Sequence, residues 1–162
     1  MFYTADLHIH SHYAKATSPL LNLDTLYQWA QVKGIDVIGT GDFTHPAWLA
    51  ELKERLVPDG KGFYYLKNPP ATTALQGMRL AHKELRFCLS AEVGTEYIIN
   101  DKKYIVHHLL YAPDFETVKK INKKLSAYAD LSADGRPTII LSSRSLLERS
   151  AQWAVSDTSL AT

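Results

Sequence analysis

The chain has 162 residues, of which 46% are hydrophobic and 22% charged, a composition typical of one soluble globular domain. The formal net charge of +1 neither favours nor excludes nucleic acid as a partner. The single cysteine, Cys88, excludes an internal disulfide and fits a reducing cytoplasm. No apolar run approaches the roughly 18 residues of a membrane span, and no targeting segment is evident. We therefore expect a cytoplasmic protein without a membrane partner.

The N-terminal part of the chain predicts a strand, a helix and a second strand. An apolar strand spans about residues 3–9, and a loop containing Pro19 leads to a helix that Asn22 or Asp24 caps. Gly34 ends this helix. Residues 35–40 then form an almost continuous apolar run, as expected for a parallel strand covered on both faces. This order indicates a βαβ unit and an α/β fold.

The remaining elements follow from capping residues, turn residues and apolar spacing. Pro46 suits the first turn of a helix, Asn100-Asp101 suits a hairpin turn, and Asp114 suits the start of an amphipathic helix with a solvated face of lysines. In chain order we expect a helix from Pro46 to about Leu56, a surface excursion with little regular structure over 57–73, a helix near 74–84, a strand over 87–93, a hairpin over 96–111, a helix to about Tyr128, a strand over 138–141 and a last helix from about Ser145.

Histidines and carboxylates fall near the ends of the predicted strands. His8 and His10 are two residues apart, so on a strand their imidazoles point to the same side of the sheet. Asp42 follows the second strand, and Glu92 lies in the third. Residues distant in sequence meet at the carboxyl ends of parallel strands, where active sites of α/β folds gather. Imidazoles and carboxylates without thiolates suit Zn, Mn or Fe, and such a cluster can promote phosphate ester hydrolysis.

Each of these residues also has an ordinary structural alternative. His8 and His10 could be exposed on the polar face of a strand, and Asp42 could cap the helix that begins near Pro46. Glu92 lies in an apolar strand, where burial of a carboxylate is costly unless it is paired or liganded, and this favours a functional role.

The other histidines are less easily assigned. His107 and His108 are adjacent and face opposite ways on a strand, so at most one of them reaches a metal. His12 and His45 are turn or surface residues as readily as ligands. Asp6 is expected to orient a histidine or the first loop rather than to bind metal directly.

Four motifs resemble those of the PHP (polymerase and histidinol phosphatase) superfamily. Asp6-Leu7-His8-Ile9-His10-Ser11 resembles its first motif, and Gly39-Thr40-Gly41-Asp42 is similar to its second. Ser90-Ala91-Glu92-Val93 and His107-His108-Leu109-Leu110-Tyr111 resemble its glutamate motif and the histidine motif that follows. Residues 38–48, 107–117 and 134–137 look like the endonuclease Q group of this superfamily, and the resemblance covers about residues 3–148.

The resemblance implies the N-terminal part of a distorted (β/α)7 TIM-like barrel that holds up to three divalent ions and has phosphoesterase chemistry. The endonuclease Q group acts on DNA that contains deaminated bases such as uracil or hypoxanthine. Carried over by motif, His8 and His10 bind one ion and Glu92 bridges, while Asp42 and His108 complete the neighbouring sites. Asp42 and Glu92 are also the expected catalytic residues. His108 is preferred to His107 because two apolar residues directly follow the family histidine.

The pattern departs from the family after Glu148. The later proline-alanine-histidine and Asp-x-His motifs that complete the family's metal cluster are absent from residues 149–162. We expect a partial PHP domain over residues 1–148 and an atypical tail over 149–162. A half barrel has open sheet edges, which a homo-oligomer would cover. Two alternatives to a DNA endonuclease therefore stay open: an inactive remnant or oligomeric interaction module, and a small-molecule phosphatase.

Overall fold

The computed structural model describes residues 2–71 and 84–155, which form a mixed α/β fold. The helix expected near 74–84 falls outside these residues except for its last position. Residues 156–162 of the expected tail also fall outside them. No helix in the described ranges is long and apolar enough to cross a membrane. In chain order the elements are β1 (Ala5–Asp6), α1 (Leu23–Lys33), β2 (Val37–Gly39), α2 (Pro46–Arg55), β3 (Leu56–Pro58), β4 (Tyr64–Leu66), β5 (Arg86–Ile99), β6 (Lys102–Ala112), α3 (Phe115–Leu125), β7 (Thr138–Ile139) and α4 (Ser143–Val155).

One open sheet of seven strands organises the described residues. Its order is β1-β2-β5-β4-β3. The long strand β5 also pairs with β6 from Leu89 to Ile99 and with β7 at Gly94 and Thr95. The pairs β1–β2, β2–β5 and β5–β7 are parallel, whereas β3, β4 and β6 join the sheet antiparallel. The α/β class is therefore confirmed. That this sheet is the N-terminal part of a distorted (β/α)7 barrel stays a prediction.

Local chemistry sets the ends of the helices as the sequence predicts. The side chain of Asn22 accepts a hydrogen bond from the backbone N–H of Thr25 and caps α1. Gly34 follows that helix with φ of +68°, a left-handed conformation that glycine adopts without strain. Pro46 occupies the first turn of α2, and Asp114 caps α3 by accepting from the N–H of Thr117.

The first strand is much shorter than the predicted span of residues 3–9. Only Ala5 and Asp6 pair with β2, opposite Val37 and Ile38, and β1 has no second neighbour among the described strands. His8 and His10 consequently lie beyond the strand rather than on it.

The prediction of an irregular excursion over 57–73 is wrong for residues 57–58 and 64–66, which form strands, whereas residues 59–63 and 67–71 are irregular as expected and residues 72–73 lie outside the described residues. Leu56, Tyr64 and Leu66 are buried, and their segments form the hairpin of β3 and β4, which adds the outer edge of the sheet. The carboxylate of Asp59 accepts the backbone N–H groups of Lys61 and Phe63 and so closes the turn. Buried side chains two residues apart are the strand signal that the glycines and prolines of this segment obscure.

The predicted hairpin over 96–111 is confirmed, and it is longer than expected. β5 runs without a break from Arg86 to Ile99, so the two strands expected at 87–93 and 96–99 are one. Asn100 and Asp101 form the turn with φ of +50° and +60°, which suits a two-residue hairpin loop. This long pairing fixes which side chains of β6 lie beside Glu92.

The core lies between this sheet and the helices that cover it. Its fully buried large side chains come from the strands, from the segment after β2 and from the helices: Phe43, Trp48, Leu52, Phe87, Leu89, Val93, Val118, Leu125, Ile139 and Leu146. Packing of this kind holds the strands in fixed positions, and the polar cluster described next is built on the segments that follow β1 and β2 and on the middle of β5.

Candidate metal centre

His8, His10 and Glu92 bring three ligand atoms together at one end of the sheet. One ligand atom from each residue lies within 4.8 Å of the other two. The Nε2 atoms of His8 and His10 are 2.7 Å and 3.0 Å from the same oxygen, Oε2 of Glu92. Glu92 is buried, while the His8 side chain is 54% exposed, so the cluster has an open side. Three protein donors with one open side are typical of catalytic zinc sites.

Close approach of two backbones places the histidine segment beside the end of β2. A Cβ at Gly39 would lie 2.8 Å from the carbonyl oxygen of Leu7, and a Cβ at Gly41 would overlap the carbonyl of Ile9. Gly41 also has φ of +63°. Glycine at both positions therefore allows the contact that sets Asp42 against the residues after β1.

Asp42 holds His10 in one orientation. Asp42 is fully buried, and its Oδ1 lies 2.9 Å from Nδ1 of His10. Its other oxygen, Oδ2, accepts hydrogen bonds from the backbone N–H and the hydroxyl of Ser11, at 2.6 Å and 2.7 Å. A proton on Nδ1 of His10 leaves the lone pair of Nε2 free for a cation, an arrangement common behind histidine ligands.

Both carboxylate oxygens of Asp42 have hydrogen-bond partners, His10 and Ser11, and direct binding of a metal by Asp42 at a neighbouring site stays a prediction. The alternative of helix capping is not seen. His45 is the capping residue of α2, and its side chain accepts from the N–H of Trp48. Asp42 accepts the N–H of His45 only through its backbone carbonyl.

The protonation of the cluster reflects these contacts. The hydrogen bond to Asp42 raises the pKa of His10 above its usual value, against the effect of burial. Burial works to raise the pKa of Glu92, but the hydrogen bond to His8 and the charges of His10 and His107 lower it overall. Glu92 is therefore ionised near neutral pH, as a carboxylate that binds a metal must be.

The structure does not bring His108 to the cluster. Its Nε2 lies 3.0 Å from the Thr95 hydroxyl and 3.1 Å from the Ser143 hydroxyl, on the other face of β6. Burial and the neighbouring charge of His107 lower its pKa. His107 instead contacts the second oxygen of Glu92 through Nδ1. The preference for His108 over His107, which rests on motif similarity, is not supported by these contacts.

A signal for His107 was present in the sequence. In an antiparallel hairpin with a two-residue turn at Asn100-Asp101, residue 92 lies opposite residue 109, as observed. Side chains two apart on a strand share a face, so His107 shares that of Glu92 and His108 does not.

The remaining sequence candidates lie outside the cluster. His45 stacks on Tyr13 with ring centroids 4.4 Å apart, and its Nε2 lies 3.1 Å from the carbonyl oxygen of Ser132. His12 contacts the carbonyl of Leu21 through Nδ1. Both therefore have structural partners. Asp6 lies within β1, and in the described part of the chain its carboxylate shows no hydrogen bond to a histidine.

The donor set fits a divalent cation such as Zn, Mn or Fe. Two imidazole Nε2 atoms and a carboxylate oxygen converge, one imidazole is oriented by a carboxylate behind it, and thiolates are absent from the group. Fold and donor set together define a mixed α/β protein with a candidate metal centre.

The chain is similar in structure and sequence to part of endonuclease Q. It superposes on PfuEndoQ of Pyrococcus furiosus, described as a lesion-specific endonuclease, with a TM-score of 0.73 and 29% identity, over 93% of this chain and 32% of that one. Superposition on endonuclease Q in complex with a 27-mer duplex substrate that has an abasic lesion at the active site gives a TM-score of 0.74 and 29% identity, over 94% and 33% of the two chains.

A curated relative extends the similarity without adding a function. The uncharacterized protein MJ0043 of Methanocaldococcus jannaschii is 28% identical over 149 residues, which are 91% of this chain and 15% of that protein. No family model matches the sequence. The chain thus spans about a third of the endonuclease Q structures, and what the rest of those proteins contributes lies outside the match.

Proposed function

We propose that this chain carries the first part of a metal-dependent phosphoesterase site of the PHP superfamily. The activity we propose for that site, within a whole protein, is endonuclease Q-like: hydrolysis of DNA phosphodiesters next to deaminated bases. The observation that carries the proposal is the convergence of His8, His10 and Glu92 with Asp42 bonded to the back of His10. Similarity to a lesion-specific endonuclease, including one bound to duplex DNA with an abasic lesion, supports the substrate class.

In the proposed centre the chain's own residues hold and orient a cation. His8 and His10 would bind through Nε2, and Glu92 would bind through Oε2, the oxygen that both imidazoles contact. A bound divalent ion supplies Lewis acidity and lowers the pKa of coordinated water. Asp42 keeps the Nδ1 proton of His10 in place, and His107 holds the other oxygen of Glu92. In this proposal Asp42 and His107 orient His10 and Glu92. Among the described residues His108 contacts Thr95 and Ser143 and not the three ligands, and its role as a ligand stays a prediction.

Elemental analysis and a cleavage assay test the proposal together. Protein purified without chelator should hold at least one Zn, Mn or Fe ion per chain, and the variant His10→Ala should lose it. Duplexes with a uracil, a hypoxanthine or an abasic site would then be compared with an undamaged duplex. Lesion-dependent cleavage supports the endonuclease. Absence of metal from the wild-type chain would refute the metal centre.

A second candidate is an inactive remnant or an oligomeric interaction module. It is favoured by the edge positions of β1 and β6, each paired with one strand among those described. Sedimentation equilibrium would show an oligomer, and metal-free, catalytically silent protein would support this candidate. The same assay tests the small-molecule phosphatase. Hydrolysis of nitrophenyl phosphate together with no cleavage of any duplex would support it.

A further inference from the structure

An open cavity of about 200 Å³ lies between helix α1 and the strands β1 and β2. Four apolar residues of its wall are between 1% and 6% exposed, namely Leu26, Ala30, Ile35 and Ile38. Trp29 also lines the cavity and is 45% exposed, so it lies where the cavity meets solvent. An engineered apolar cavity of about 150 Å³ binds benzene. The cavity beside α1 therefore has room for an apolar group of the size of a leucine side chain.

Two residues of opposite charge line the same cavity. Asp6 of β1 lies opposite Ile38 of β2 in a parallel pair, so its side chain points to the face of the sheet where Ile38 lines the cavity. Lys33 is the last residue of α1 and is exposed. The cavity is therefore apolar inside and carries a carboxylate and an ammonium on its wall.

Neither of these charges is used by the fold. In the part of the chain that the structure describes, the side chains of Asp6 and Lys33 form no hydrogen bond or ion pair, with each other or with other residues. The helix dipole accounts for a cation in the last turn of α1. No contact among the described residues accounts for the carboxylate on β1. Both charges are thus available to one ligand that carries an ammonium and a carboxylate.

We propose that this cavity binds a free α-amino acid with an apolar side chain, such as leucine. The side chain of the ligand would fill the apolar interior, its ammonium would contact Asp6, and its carboxylate would contact Lys33. Pockets for small molecules are mostly apolar and have a few polar groups that fix the orientation of the ligand. A ligand with one charge would leave either Asp6 or Lys33 without a partner. The inference goes beyond the proposed function and does not depend on the metal centre.

A set of related ligands tests each part of the site on the full chain. Binding is followed by NMR through the indole N–H signal of Trp29, which Trp29→Phe identifies by its loss. Leucine is compared with 4-methylpentanoate, which lacks the ammonium, with 3-methylbutylamine, which lacks the carboxylate, and with glycine, which lacks the side chain. We expect leucine to bind about threefold more tightly than either singly charged compound and more than about tenfold more tightly than glycine.

Two substitutions should give opposite patterns with these ligands. Asp6→Asn should weaken leucine binding by about threefold and leave 4-methylpentanoate unaffected, because that compound has no ammonium. Lys33→Gln should weaken leucine binding to a similar extent and leave 3-methylbutylamine unaffected. The matched controls are Glu54→Gln and Lys53→Gln, since both residues are exposed on α2 and do not line the cavity. These controls should bind all the ligands like the wild type.

A wild-type chain whose Trp29 signal does not respond to leucine would overturn the inference. Equal affinity for leucine and glycine would do so as well, because the apolar interior would then contribute nothing. Leucine binding that neither Asp6→Asn nor Lys33→Gln weakens would refute the role of the two charges. A Trp29 signal that changes with protein concentration alone would identify a second copy of the chain as the occupant and would also refute the proposal. Equal thermal midpoints show that the variants are folded, and metal content of the same samples tests the proposed function separately.

Discussion

Substitution of Asp42 by asparagine tests how the buried carboxylate prepares His10 for a metal. Asp42 accepts three hydrogen bonds, one from His10 and two from Ser11. An asparagine has one acceptor oxygen, and the N–H and the hydroxyl of Ser11 would both donate to it. The amide NH₂ then faces Nδ1 of His10, which becomes an acceptor, and the proton of the neutral ring moves to Nε2. Nε2 is the atom through which His10 would bind the metal, and a proton there blocks its lone pair.

The expected loss of metal affinity follows from this tautomer change. Binding the ion requires that His10 return its proton to Nδ1, where it would oppose the NH₂ donor. Mutation of a group that orients a histidine ligand weakens metal affinity by about 10- to 100-fold, or about 1.4–2.8 kcal/mol. Stability should fall as well, since a hydrogen bond to a charged group contributes about 1.5–3 kcal/mol.

Competition with a chromophoric chelator measures this difference directly. Asp130→Asn is the control, because Asp130 is exposed and its carboxylate accepts hydrogen bonds from Ser132 alone among the described residues. The control should bind metal like the wild type. If Asp42→Asn retained wild-type affinity while folded, the orienting role of Asp42 would be refuted.

Three further substitutions test separate parts of the structure. Glu92→Gln should reduce the bound metal to less than a tenth of the wild-type content, because an amide is a poor ligand; full occupancy would exclude Glu92 as a ligand. The backbone hydrogen bond from Thr117 is the main cause of the lowered pKa of Asp114, so the folded-state pKa lies below that of the unfolded chain. The stabilisation by this hydrogen bond is complete at pH values above the pKa of Asp114 in the unfolded chain, and it is lost as the pH falls through the pKa of Asp114 in the folded chain. Asp114→Ala should therefore cost about 1 kcal/mol in urea unfolding at pH 7 and less in acid, whereas Asp114→Asn should keep most of the cap at both pH values; a pH-independent cost for alanine would contradict this. Gly135→Ala should destabilise the fold by about 1–3 kcal/mol because its Cβ meets Asp42, and unchanged stability would show that the turn can move away.

Local sequence signals predicted much of this fold. Asn22, Gly34, Pro46 and Asp114 act through contacts within a few residues, so the helix ends can be inferred without a tertiary structure. The hairpin turn at Asn100-Asp101 is local in the same sense. By contrast, the length of β1 depends on pairing with β2, which is set by contacts between distant residues.

The sequence predicted the residue types of the candidate site, and the predicted roles of the individual residues stay predictions. Sequence placed His8, His10, Asp42 and Glu92 near one another, and the structure brings these four together. The sequence could not show that the oxygens of Asp42 accept hydrogen bonds from His10 and Ser11, because these contacts depend on the close approach of two backbones at Gly41. The choice of His108 came from similarity of neighbouring residues, whereas strand register places His107 on the face of Glu92.

Anomalous diffraction at a metal absorption edge is the most direct test of the central claim that His8, His10 and Glu92 form a metal centre. Crystals grown from protein purified without chelator should show an anomalous peak about 2.0–2.2 Å from Nε2 of each histidine and from Oε2 of Glu92, if the ion is zinc. A crystal soaked with zinc that shows no peak among these three residues, or a peak only elsewhere, would contradict the account.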